Sequence, residues 1–170
     1  MVRKPQVSVI MGSDSDLEIM KETLHLLKEF GIPYEAKILS AHRSPQLTTA
    51  FAKRAEKKGI NVIIAGAGGA AHLAGVIASH TSLPVIGVPM ETGALKGIDS
   101  LFSTVQMPSG VPVATVAIGK AGAKNAAILA AEILGVNDTA LRQKIRIFKR
   151  KLANNIKEKN KKLKLVIADG

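Results

Sequence analysis

Asn61-Val62-Ile63-Ile64-Ala65, followed at once by Gly66-Ala67-Gly68-Gly69-Ala70-Ala71-His72-Leu73, is the stretch that decides the fold class. A strand with one face in water alternates apolar and polar residues. This run is almost continuously apolar and β-branched, the pattern of a parallel strand whose two faces are both covered by helices. The glycines behind it let a backbone or a ligand come close without side-chain obstruction. The segment beyond them, to about His80, reads as a helix.

The same strand-loop-helix unit recurs on both sides. Gln6 to Met11 is a short apolar run ending at Gly12, and Ser13-Asp14-Ser15-Asp16 supplies N-caps for a helix through about Phe30, which Gly31 and Pro33 stop. Tyr34 to Leu39 is a second strand. Pro45 opens a second helix at a first-turn position, and Lys57-Lys58-Gly59 closes it. Pro84 to Val88 is a fourth strand, Gly97 to Val105 a helix, Val113 to Ile118 a fifth strand, and Gly119 to Gly122 leads into an Ala-rich helix through Leu134. Short strands alternating with helices predict an α/β fold, a three-layer α/β/α sandwich with a parallel sheet, of flavodoxin-like class. Residues 1–135 form the expected catalytic domain. In residues 136–170 apolar Leu141, Ile145, Phe148, Leu152 and Ile156 keep helical spacing among Lys and Arg, which predicts an amphipathic C-terminal helix packed on its own subunit or on a neighbour.

The net charge of +11 suggests nucleic acid until it is divided along the chain. Residues 136–170 hold 11 Lys/Arg and 3 Asp/Glu, which leaves +3 on the rest. A basic tail whose one aromatic is Phe148 lacks the interleaved stacking residues of a single-strand binder, which argues against a nucleic-acid function. With no cysteine, disulfides and thiolate metal sites are excluded. Met1 to Gln6 leads into a strand and does not have the form of a signal peptide, and no uncharged apolar run is long enough to cross a bilayer. The expectation is a cytoplasmic protein.

In open parallel sheets, ligands sit outside the carboxyl ends of the strands. Three loops there carry chemistry. Gly12-Ser13-Asp14-Ser15-Asp16 offers backbone N–H groups and the Ser13 and Ser15 hydroxyls to an anion, although helix capping alone accounts equally well for these residues. Ser40-Ala41-His42-Arg43-Ser44-Pro45 sets an imidazole beside a permanent cation, a pairing suited to proton transfer on an anionic substrate. The Gly66 loop matches G-x-G-x-x-A with Glu91 about twenty residues on, but it follows the third strand instead of the first, and Glu91 lies beyond Pro89, so a dinucleotide site is discounted. Close helix-strand packing is its other reading. Of the four histidines, His25 falls inside a helix and His80 near a helix end, whereas His42 and His72 both follow strands. Their spacing and lack of carboxylate companions give no metal set.

Taken in order, Met11-Gly12-Ser13-x-Ser15-Asp16, Ser40-Ala41-His42-Arg43-x-Pro45, Ala65 through Leu73, and Asp99-Ser100-Leu101 through Gln106-Met107-Pro108 resemble the class I N5-carboxyaminoimidazole ribonucleotide mutases of purine biosynthesis. The likeness covers about residues 6 to 135 and continues through Gly110 to Gly119 and Ala121 to Ala126. The related class II carboxylases have Lys at the place of Arg43 and lack the glycine loop. The resemblance implies a homo-octamer needing neither metal nor nucleotide cofactor, an isomerase that moves a carboxylate from the exocyclic nitrogen to C4 of the imidazole. His42 would be the proton shuttle, imidazole being the side chain suited to exchanging protons near neutral pH. Ser13 and Arg43 would hold the 5'-phosphate with Ser15 as a further donor, and Asp16 the ribose hydroxyls. Ser40 and Ala41 would line the base, and the loop Gly68, Gly69, Ala70, His72 and Leu73 would close on the carboxylate and carbon dioxide, with His72 as an orienting or binding group. The chain departs from the common pattern at Ala74, where proline usually stands, at Leu17, where an aromatic is common, and at Ser44, usually Thr. The alternatives are a carboxylase using free carbon dioxide and a non-catalytic nucleotide-binding module.

Overall fold

In the computed structural model, which describes residues 4–168, five strands form one parallel sheet. The first three residues, where the lead-in to the first strand begins, and the last two lie outside the described residues. The strands are β1 (Val7–Met11), β2 (Tyr34–Ile38), β3 (Val62–Ala67), β4 (Val85–Pro89) and β5 (Ala114–Thr115), in the spatial order β2-β1-β3-β4-β5. The helices are α1 (Leu17–Phe30), α2 (Pro45–Ala55), α3 (Leu73–Ala78), α4 (Ile98–Val105), α5 (Gly119–Gly135) and α6 (Thr139–Ala168). This is the flavodoxin-like order, and its direction reverses between β1 and β3, which opens a crevice at their carboxyl ends.

Every residue of β4 is buried, as its continuous apolar run predicts, and so is every residue of β1, Ser8 included. Alternate residues feed two cores. Val7, Val9 and Met11 face a layer built with Met20, Leu27 and Phe30 of α1, the alanines of α5 and Leu141 and Ile145 of α6. Ile10 and Ile63 face Phe51, Ala52 and Ala55 of α2 and Leu73 and Ile77 of α3. Ser8, buried in β1, donates to Glu35 Oε1 at 3.0 Å on the adjacent strand, so its hydroxyl is not left unpaired. Ala123, Ala126, Ala127, Ala130 and Ala131 are fully buried, and their small side chains let α5 lie close against α1 and the sheet. Gly122 belongs to the same face, where any Cβ would strike the Ala117 carbonyl.

The boundaries moved by two residues or more in β3, α3 and β5. Strand β5 is two residues, not the six expected from Val113 to Ile118, because it lies at the sheet edge with Pro112, which has no N–H, just before it. The Val116 N–H still reaches Gly87 O at 3.1 Å. Strand β3 runs two residues further than expected, through Gly66 and Ala67, which pair with Val88 and Pro89. Helix α3 is correspondingly short. The basic C-terminal segment forms the expected helix, of which Leu141 and Ile145 are buried and Leu152 and Ile156 are exposed, so its amphipathic stripe outruns the core of its own chain.

Candidate active site

The loops after β1, β2, β3 and β4 surround a cleft of about 490 Å³ over the β1/β3 reversal. Its lining includes Ser13, Ser15, Asp16, Ser40, Ala41, His42, Arg43, Gly68, Gly69, Ala70 and Leu73, so eleven of the twelve residues singled out by sequence meet there. His72, the twelfth, is not in the lining but reaches it through His42: Nε2 of His42 and Nδ1 of His72 are 2.8 Å apart. Gly12, Ala67 and Thr92 complete the wall. Gly12 belonged to a recognised motif. Thr92 had no sequence signal, because the loop after β4 matches none of the motifs singled out and only the sheet register brings it to the cleft.

The first loop is held by its own caps. The Ser13 N–H donates to Asp16 Oδ2 at 3.0 Å, and the Ser15 N–H donates to Ser13 Oγ at 3.4 Å, which closes a capping box over a single 3₁₀ turn before α1. Both readings of this loop therefore meet in one place, because the capping groups also line the cleft. Burial pushes the Asp16 carboxyl above its ordinary range, against the pull of the Ser13 and Gly12 backbone N–H groups. Asp14 is fully exposed. Its Oδ1 accepts from Ser13 Oγ at 3.0 Å and from the Ser15 N–H at 3.1 Å, and these bonds, the Ser13 hydroxyl first, hold its carboxyl below the usual range. The donors proposed for a phosphate are thus engaged by a carboxylate of the same loop.

The second loop is stiffened by a knot of short bonds. Ser40 Oγ accepts from the Arg43 N–H at 3.1 Å, Ser44 Oγ accepts from the Ser40 N–H at 3.0 Å, and Ser40 O accepts from Ser44 N, Ser44 Oγ and Thr48 Oγ1. Ser40 therefore shapes the loop as well as lining the cleft. Pro45 takes the first helical position of α2, as expected. This framework leaves His42 and Arg43 exposed, and Arg43 Nη2 spans back to Gly12 O at 3.3 Å, joining the first two loops.

In the third loop Gly69 is left-handed at φ 62°, and its N–H donates to Thr92 Oγ1 at 2.9 Å. His25 is exposed on α1, and His80 lies just past α3, both outside the cleft lining. Among the described residues no three His, Cys, Asp or Glu side chains gather as a metal-binding group. What the cleft offers is anion donors, one buried carboxylate, a hydrogen-bonded imidazole pair and a wall of small residues. Those groups can receive an anion and exchange a proton with it.

Residues 6–155 match the family model described as AIR carboxylase. A Pyrococcus horikoshii protein named N5-carboxyaminoimidazole ribonucleotide mutase is 58% identical over 160 residues, 94% of this chain and 89% of that one. A Thermotoga maritima protein of the same name is 56% identical over 162 residues, 95% of this chain and 94% of that one. The crystal structure of Treponema denticola PurE superimposes with a TM-score of 0.83 at 30% identity, covering 94% of this chain and 98% of that one. Matched over most of its length by the family model and by full-length relatives, the chain belongs to the AIR carboxylase family.

Proposed function

We propose that this chain is an isomerase of purine biosynthesis that converts N5-carboxyaminoimidazole ribonucleotide to 4-carboxy-5-aminoimidazole ribonucleotide. The observation that carries the choice of reaction is the identity above 55%, over nearly the whole chain, with proteins named for it. The cleft supplies groups suited to each step. Breaking the N–carboxyl bond releases carbon dioxide and leaves the electron pair on nitrogen, which takes up a proton. The electron-rich C4 then attacks carbon dioxide, and the proton on C4 is removed. Protons and charge balance, so one base can serve both steps. In this reading His42 is that base, and general acid-base assistance is worth about a hundred- to ten-thousandfold.

In this reading Arg43, Ser13 and Ser15 hold the 5'-phosphate, Asp16 the ribose hydroxyls, and Ser40 and Ala41 the base. The loop from Gly68 to Leu73 confines the carbon dioxide, which would otherwise escape or hydrate. No step calls on a metal or a nucleotide cofactor. Residues 1–135 serve as the catalytic domain, and residues 136–170 as part of the same domain or of a subunit interface. The proposed assembly is a homo-octamer in the cytoplasm. Leu95, Ile98, Phe102 and Val105, all exposed on α4 and the loop before it, support association with further copies.

The test is an assay of C4-carboxylated product from the N5-carboxylated substrate, run beside aminoimidazole ribonucleotide with bicarbonate alone. Efficient turnover only of the first supports the mutase. Comparable turnover of both at physiological bicarbonate makes the chain a carboxylase. Sedimentation of the intact protein at eight times the 17.9 kDa chain mass tests the octamer.

A further inference from the structure

Thr92 stands three residues past β4, half-buried, on the wall of the cleft. The β3/β4 register, with Ala67 opposite Pro89, carries the two following loops side by side, and Thr92 arrives against the glycine turn. Its Oγ1 accepts the Gly69 N–H at 2.9 Å. A Cβ on Gly68 would lie 2.4 Å from the Thr92 Cγ2 and 2.7 Å from that oxygen, closer than such atoms approach, so glycine at 68 is what admits the threonine. Gly69 adopts the left-handed φ of 62° in the same turn.

The loop that carries Thr92 is fixed at both ends. Ser100, fully buried, shares its one hydroxyl proton between Met90 O at 2.7 Å and Gly97 O at 2.9 Å, and the Met90 N–H donates to Ala67 O at 2.9 Å. Thr92 is therefore held in place independently of the glycine turn it touches. A hydroxyl has one proton to give and two lone pairs. One lone pair takes the Gly69 N–H, and the Thr92 hydroxyl proton finds no acceptor among the described residues.

We infer that Thr92 positions the glycine turn and gives its hydroxyl proton to the carboxylate group confined there, so that it governs whether carbon dioxide is recaptured at C4 or lost. The inference rests on the mutase reaction proposed above. The chain Gly69 N–H to Thr92 Oγ–H to carboxylate polarises along its length and needs only a small donor, which suits a pocket for a three-atom group.

The experiment follows the partition of the N5-carboxylated substrate, above its uncatalysed decay, between C4-carboxylated product and free aminoimidazole ribonucleotide. Thr92→Val keeps shape and removes the hydroxyl. Its kcat should fall about ten- to hundredfold, the usual cost of losing a hydrogen bond to a charged group. Its leaked fraction should rise several-fold while KM stays within about threefold, since the phosphate and ribose anchors are untouched. Thr92→Ser keeps the hydroxyl and should match the parent within about threefold in both measures. Thr92→Ala, read by the same criteria, replaces the valine variant if circular dichroism shows the latter unfolded. Parent-like partition in the hydroxyl-free variant overturns the inference, as does a serine variant that leaks as much as the valine one. A parent that makes no C4-carboxylated product removes the mutase reading and this inference with it, whereas a working parent beside an unchanged valine variant removes the inference alone.

Discussion

His42 and His72 meet edge to face, with Nε2 of the first 2.8 Å from Nδ1 of the second, ring centroids 4.9 Å apart and planes at 88°. One nitrogen must donate and the other accept, so each ring fixes the tautomer of its partner. His42 alone faces the cleft. The expected division is that His42 exchanges the proton and His72 keeps its ring oriented. His42→Asn should lower kcat by about a hundred- to ten-thousandfold. His72→Phe, which keeps a ring but no hydrogen bond, should lower kcat about tenfold, the cost of a lost orienting contact, and His72→Asn should recover part of that. Steady-state kinetics on the three variants would check this; equal losses at both positions would give His72 a direct part in the chemistry.

Asp16 combines burial with a raised carboxyl pKa, and this makes its contribution to stability opposite in sign to that of a salt-bridged aspartate. The folded state holds the proton more tightly than the unfolded chain. Its stabilising effect is full below the unfolded value of 3.8 and is lost as pH rises through the higher folded value. Above both, the buried charge is a fixed cost. Asp16→Asn keeps an oxygen to accept the Ser13 N–H and removes that charge. Its thermal midpoint should exceed the parent's at neutral pH, and the difference should shrink as pH is lowered toward 3.8. If Asp16 holds the ribose, KM should rise about tenfold or more, the usual cost of losing a charge-assisted bond. A variant that is more stable and binds as well as the parent would take Asp16 out of the ribose site.

How much could be read from residues alone follows the range of the forces involved. Fully apolar runs such as Val62 to Ala65 are legible because sheet burial acts on every residue in turn. Local devices are also legible: Ser13 as a cap, Pro45 at the first helical position, Gly59 at φ 89° after α2. The His42–His72 contact and the Thr92 latch are not, because each joins loops from different strands, and the sheet register decides whether they touch. Strand β5 was overestimated because an apolar run at a sheet edge looks like one in the middle.

Arg43 and Asp14 should shift substrate affinity in opposite directions. Arg43 is exposed, its guanidinium held among the described residues only by a long bond to Gly12 O, and able to turn toward a phosphate. Asp14 occupies the Ser13 hydroxyl and Ser15 N–H that the same phosphate would use. Arg43→Met should raise KM about ten- to hundredfold with kcat within a few-fold, because a charge-assisted anchor is lost far from the reacting atoms. Asp14→Asn should lower KM by about two- to fivefold, since a competing acceptor and a like charge are both weakened. Rising ionic strength should reduce the difference between Asp14→Asn and parent. A kcat loss in Arg43→Met larger than its KM change would place the guanidinium at the reacting end of the substrate.

Helix α6 divides at about Phe148 into a docked part and a projecting part. Leu141 and Ile145 are each 6% exposed, Phe148 stacks edge-on against Phe30 with centroids 5.5 Å apart, and Lys144 Nζ donates to Phe30 O at 2.7 Å. Beyond that point Leu152, Ile156 and Leu163 are all more than half exposed, although they continue the same stripe. Ile145→Ala should cost about 2–4 kcal/mol of subunit stability, as burial followed by a cavity does. Ile156→Ala should change it by no more than about 0.5 kcal/mol, as surface substitutions do. Urea unfolding at low protein concentration measures the subunit, and sedimentation at high concentration measures assembly. If the exposed stripe seats a neighbouring copy, Ile156→Ala should weaken association without moving the subunit midpoint. A midpoint loss equal to that of Ile145→Ala would instead place Ile156 in the core of its own chain, and the amphipathic stripe would then need no partner to account for it.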